Sequence, residues 1–178
     1  MSDIVIHQKE ITQFFITGLP RTRSSWFASF LSSGDTFCWH EALNGCNSRD
    51  DFYSRMRLPG YSAVGNADCG LALTDFQQHF VGKTLIVHRP LDEVVRSLRG
   101  VGIRADAFLL DFLKSLQKKQ KQLKGWHIKF SDIDRNIEGI HQYLTGKQPD
   151  PNRLKLFLNM RVEPAEISGD LESLKVWI

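Results

Sequence analysis

The chain has 178 residues, of which 42% are hydrophobic and 24% charged, with a formal net charge of +3 and a pI near 8.8. That length and apolar share suit one globular domain over residues 1–178 and exclude a disordered chain. The small positive excess suits an anionic small ligand and argues neither for nucleic acid nor, with no apolar stretch approaching membrane-spanning length, for a membrane.

Taken in order, Ile4-Val5-Ile6 reads as a short strand in a polar, mixed lead-in that does not read as a signal peptide. Phe14 to Thr17 predicts the first core strand, and Ser24 to Ser32 a helix with Trp26, Phe27, Phe30 and Leu31 at helical spacing and Gly34 as its C-cap. Thr36 to Trp39 predicts a second strand ending at His40-Glu41, and Asn44 to Pro59 a short helix with a loop, a place for substrate contacts. Tyr61 to Val64 reads as a third strand, followed by Asp68-Cys69-Gly70 and a helix over Leu71 to Phe80. Lys83 to His88, with Leu85-Ile86-Val87 as a continuous apolar run, has the pattern of a buried parallel strand. Pro90 opens a helix to Leu98, with Asp92 and Glu93 at its positive dipole end. Ala105 to Lys124 predicts a long amphipathic helix, Trp126 to Phe130 a strand, Ile133 to Leu144 a helix and Arg153 to Met160 a last helix. The tail 161–178 has no assigned element.

Strands alternating with helices predict an α/β fold: three layers, a mainly parallel sheet flanked by helices. Ligands in such folds bind beyond the carboxyl ends of the strands. Four features then share one edge: the Gly18 to Ser25 loop, His40-Glu41, Asn66 to Asp68, and His88-Arg89. Cys38, Cys46 and Cys69 form no CxxC pair, so they read as reduced thiols of a cytoplasmic protein. His40 lies near two of them at no zinc-site spacing, and no metal is expected.

The stretch Phe14 to Trp26 organises the rest. An apolar strand ends at Gly18, a loop carries Pro20, Arg21 and Arg23 with Thr22, Ser24 and Ser25, and an apolar helix follows. This is the layout of a phosphate-binding loop, in which helix N-terminal N–H groups and the helix dipole face an anion. Against the triphosphatase pattern G-x-x-x-x-G-K-[ST], Gly18 and Ser25 fit, while Arg23 and Ser24 replace the second glycine and the lysine.

The run Pro20-Arg21-Thr22-Arg23-Ser24-Ser25-Trp26 resembles the 5′-phosphosulfate loop of the sulfotransferases that use 3′-phosphoadenosine 5′-phosphosulfate (PAPS). Arg23 departs from that family's usual glycine; if the position takes positive φ, an arginine there is strained. A second run, Leu85 to Ser97, resembles the family's 3′-phosphate motif of a hydrophobic strand, Arg, and a helix carrying Ser, here Arg89 and Ser97. A third, Ile128 to Ile133, partly resembles a strand ending in Tyr-Glu-Asp-Leu, without the Tyr and Glu.

The resemblance implies a P-loop-like sulfotransferase fold, PAPS and its product 3′,5′-adenosine bisphosphate as nucleotide, and no metal. It implies a transferase moving a sulfuryl group to a hydroxyl or amine of unknown acceptor. Arg21, Thr22, Arg23, Ser24, Ser25, Trp26, Arg89 and Ser97 would bind the nucleotide. Trp26 stacks near the adenine or packs in the core. Glu41 is the expected catalytic base, His40 the second choice, and Arg21 the group that steadies the leaving oxygen. The blander reading of Glu41 is a cap or an ion pair to the loop. Two other functions remain open: a nucleotide kinase, with Asp68 as its magnesium carboxylate, and a non-catalytic nucleotide binder on the same fold.

Overall fold

A computed structural model describes residues 11–162. Strand β1 (Thr12–Gly18) lies at the centre of a five-stranded parallel sheet in the order β2-β3-β1-β4-β5. The others are β2 (Thr36–His40), β3 (Ala63–Ala67), β4 (Gly82–His88) and β5 (Trp126–Lys129). The helices are α1 (Ser24–Leu31), α2 (Arg49–Arg55), α3 (Phe76–His79), α4 (Leu91–Gly100), α5 (Ala107–Gln120), α6 (Ile133–Thr145) and α7 (Pro151–Leu158). The fold is the expected α/β one, a parallel sheet flanked by helices. The expected strand at Ile4-Val5-Ile6 and most of the tail lie outside the described residues.

Alternate side chains of β1 feed the two sides of the sheet, as strand geometry requires. Phe14 and Ile16 join Trp26, Phe27 and Phe30 of α1 with Ile137, Ile140 and Leu144 of α6 and Phe157 of α7. Phe15 faces the opposite way, with Val64, Phe52, Phe76 and Phe80. A third cluster joins Leu19 and Ala72 to Val94 and Leu98 of α4 and to Leu113 and Leu116 of α5.

Trp26 is 3% exposed, stacks on Phe30 at 4.9 Å and donates its indole N–H to the Phe157 carbonyl at 3.0 Å. Its side chain is therefore a core group, not one available to an adenine. From α7, Arg153 reaches back to the end of α1, where its guanidinium donates to the carbonyls of Ser29, Phe30 (2.9 Å) and Ser32 (2.9 Å). Those are the carbonyls a helix C-terminus leaves without partners. The cap itself is Ser32, and Gly34 (φ 58°) serves the tight turn that follows.

Two elements differ from their sequence patterns. β3 runs from Ala63 to Ala67 rather than Tyr61 to Val64. Gly65 and Asn66 look like strand breakers, but a side chain at Gly65 would fall 2.0 Å from the Phe14 ring, so the glycine makes room for the central aromatic. Asn66 is fully buried, and its Oδ1 accepts the Ala42 N–H at 3.0 Å. The expected helix over Leu71 to Phe80 is split into a 3₁₀ turn at Cys69–Leu73 and the single turn α3. Thr74 causes the break: its hydroxyl donates to the Leu71 carbonyl (2.9 Å) and accepts from Phe76 N–H (3.3 Å), a local alternative to the helical ladder.

Candidate functional site

Because every strand runs the same way, their carboxyl ends gather the four sequence features on one edge. β1 delivers the Gly18 loop, β2 delivers His40-Glu41, β3 delivers Asp68, and β4 delivers His88-Arg89. The loop closes tightly. Thr22 is buried, and its hydroxyl donates to the Leu19 carbonyl at 2.7 Å. A Cβ at Gly18 would fall 2.4 Å from that hydroxyl oxygen and 2.9 Å from the Val87 carbonyl, so only glycine fits.

Among the described residues, three non-glycine residues have positive φ, and all three lie here: Arg21 (68°), Arg23 (67°) and Glu41 (53°). Each costs about 1 kcal/mol or more, and such strain clusters at functional sites. Arg23 occupies the position at which the resembled family has glycine. It is the residue before α1, which has no side-chain cap and no acidic group in its first turn. An uncapped helix N-terminus beside arginines is a fit place for an anion.

The two runs that resemble phosphate-binding segments meet. Arg21 Nε donates to Ser97 Oγ at 3.2 Å across 76 residues, and Arg89 Nη1 donates to the Arg21 carbonyl at 2.6 Å. Arg89 also donates to Glu93 Oε2 (3.3 Å) and lies over the Phe130 ring at 4.2 Å. Arg23 lies 5.4 Å from the same ring and 5.7 Å from Trp26, and its fork rests on both oxygens of Asp134.

On the other side of the loop, His40 Nε2 lies 3.2 Å from Ser24 Oγ and 3.1 Å from Ser25 Oγ. Burial lowers the His40 pKa, against the nearby Asp68 charge, and so favours the neutral ring. Glu41 Oε1 is 3.6 Å from the same nitrogen, while Oε2 accepts from the Asn44 amide at 3.0 Å. Burial raises the Glu41 pKa, partly offset by that hydrogen bond. Glu41 pairs with His40 and Asn44 rather than with a loop arginine, so these contacts stand in place of the ion pair to the loop that the blander reading offered.

The segment carrying Glu41 is pinned from three directions. Asn66 takes the Ala42 N–H, Asp68 Oδ2 takes the Leu43 N–H (3.3 Å), and Arg55 Nη1 donates to the carbonyls of Ala42 (2.6 Å) and Asn44 (2.8 Å). Arg55 and Asp134 are residues of this cluster that the sequence patterns do not mark, while Phe130 lies in the third run, Ile128 to Ile133.

Asp68 spends its other oxygen on Gly70 N–H at 2.7 Å, so both oxygens serve the backbone. Burial pushes its pKa up to about 6, with those N–H donors pulling the other way. An aspartate whose native pKa lies above its unfolded value binds its proton preferentially in the native state. Stability is then expected to fall as pH rises from about 4 to about 6, by up to about 1.4 kcal/mol per unit, and to level off above. Denaturant titrations across that range should show the slope in the native chain and a reduced slope in Asp68→Asn. Equal slopes would mean that Asp68 is ionised throughout.

No protein-family model matches the chain, and no curated protein matches it. Among solved structures, shikimate kinase from Bacteroides thetaiotaomicron is similar at a TM-score of 0.43 and 13% identity, over 84% of this chain and 95% of that one. At that score the likeness carries no inference about chemistry. No helix among the described residues is long and apolar enough to cross a membrane, and they contain no cluster of three or more His, Cys, Asp or Glu suited to a metal.

Proposed function

We propose that this protein is a sulfotransferase that uses PAPS and transfers its sulfuryl group to a hydroxyl or amine. The observation that carries the reading is the convergence of Arg21, Arg89 and Ser97, which come from two motifs that resemble that family's two phosphate-binding segments. Two anionic ends of one ligand need basic groups, and the cluster of Arg21 and Arg89 at the sheet edge supports that reading. The uncapped N-terminus of α1 and the tightly turned loop suit the 5′ end, with backbone N–H groups of Thr22 to Ser25 and the hydroxyls of Ser24 and Ser25 as donors. Trp26 contributes through its place in α1 rather than through its ring.

PAPS supplies the activated sulfuryl group and leaves as the bisphosphate. The chain's own groups do the rest. Arg89 and Ser97 orient the 3′-phosphate. Arg21 steadies the negative charge on the oxygen that departs with the nucleotide. Glu41 accepts the proton that the attacking group loses, and its raised pKa brings a carboxylate closer to that task. His40 already bridges the loop serines, which makes it the positioning group and leaves Glu41 as base. Asn44, Asn66, Asp68 and Arg55 fix the segment that presents Glu41.

A nucleotide kinase would use the same loop, but Ser24 stands where it needs its lysine, and both Asp68 oxygens are taken by backbone N–H groups. Thermal shift separates these readings. At a hundredfold excess over Kd, 3′,5′-adenosine bisphosphate should stabilise the protein by about 2.7 kcal/mol. ATP and AMP should do less, and magnesium chelation should change nothing. A larger, magnesium-dependent shift with ATP would replace this reading with the kinase. Stabilisation by the bisphosphate without transfer to a broad set of acceptors would favour a non-catalytic binder.

A further inference from the structure

We propose that the Arg23 side chain is a third anion-binding group, parked on Asp134 while the site is open and released to a phosphate that arrives beside Arg89. The inference rests on the nucleotide reading only for the choice of one probe.

Four observations support it. First, Arg23 sits in left-handed backbone at φ 67° and ψ 26°. Glycine would hold that turn without strain, so an arginine there carries a cost that its side chain has to justify. Second, the guanidinium already grips a planar oxyanion: both of its terminal nitrogens face both oxygens of Asp134. A phosphate offers the same bidentate geometry with more charge. Third, Arg23 and Arg89 share the Phe130 ring, so their guanidinium groups are gathered at one aromatic platform. Fourth, the Arg23–Asp134 pair is open to water, with the side chains 34% and 56% exposed. An exposed pair holds weakly and exchanges without burying an orphaned charge. Asp134 lies in the first turn of α6, where the helix dipole favours its carboxylate after Arg23 has left.

Asp134 is therefore a resident competitor of the ligand, and Arg23 is a residue that sets affinity for a terminal phosphate. Titration calorimetry with 3′,5′-adenosine bisphosphate and, separately, inorganic pyrophosphate tests this in the full chain. Asp134→Asn should tighten both probes by about two- to fivefold, the worth of an exposed pair. Arg23→Gly, which suits the backbone, should weaken both by about tenfold. In the double variant the gain from Asp134→Asn should vanish. Unchanged or weaker binding by Asp134→Asn, or the same gain with Arg23 absent, would overturn the proposal. If pyrophosphate follows the pattern and the bisphosphate does not bind, the nucleotide reading fails and the Arg23 switch stands. If neither probe binds the native protein, both fall.

Discussion

A Glu41→Gln protein is expected to keep its thermal shift with 3′,5′-adenosine bisphosphate and to lose sulfuryl transfer by about 10²- to 10⁴-fold, the usual worth of a positioned general base. The substitution keeps the shape and leaves an amide oxygen for Asn44, so the contacts that hold the segment after β2 survive. What disappears is the ability to take a proton. Glu41 occupies left-handed backbone at φ 53°, at a cost that glutamine bears equally. Assays with PAPS and phenolic, alcoholic and amine acceptors would read the loss directly. Turnover at the native rate in Glu41→Gln would move the proton acceptor to His40, whose Nε2 lies within hydrogen-bond reach of both loop serines.

Arg89→Ala should weaken the bisphosphate by about 1.5–3 kcal/mol and 5′-AMP much less. Only the former carries the phosphate that Arg89 would meet. Arg89 also supports the loop through the Arg21 carbonyl and packs on Phe130, so a modest loss for AMP is part of the expectation. Equal losses for the two nucleotides would mean that Arg89 serves the loop's shape and leaves the 3′-phosphate to other groups. Arg89→Lys separates charge from fork: a point charge reaches a phosphate but does not reproduce the planar stack.

The parts of this molecule that announce themselves in sequence are those governed by short-range rules. β4 carries an apolar centre, Leu85 to Val87, because both of its faces are covered there, and Arg89-Pro90 marks where it stops. The loop between β1 and α1 is visible because glycine, hydroxyls and basic residues crowd between two apolar segments. Arg23 advertised its backbone by standing where a glycine is usual, and its φ of 67° follows. Asymmetric fates of similar residues were less legible. Trp26 has the same spacing whether it faces a ligand or the core, and only α7, about 130 residues later, decides the matter. The carboxyl half of β3 was hidden because Gly65 and Asn66 have low strand propensity, and the reason for both lies in the neighbouring Phe14 ring and the Ala42 N–H. Arg55 and Asp134 could not be marked at all, since what they grip is brought to them by the fold.

The grip of α7 on α1 has a kinetic consequence. α1 has eight residues, too few to be stable alone in water. Its amino end carries the Gly18 to Ser25 loop, and its carboxyl end is closed by Arg153, with Trp26 fastened to Phe157 between them. Unravelling of the loop helix must therefore break contacts made by the last described helix, and the two belong to one cooperative opening unit. Amide exchange in α1 should then be slow and matched to that of α7, so that the loop residues at its amino end stay in place for much longer than an eight-residue helix would hold them by itself.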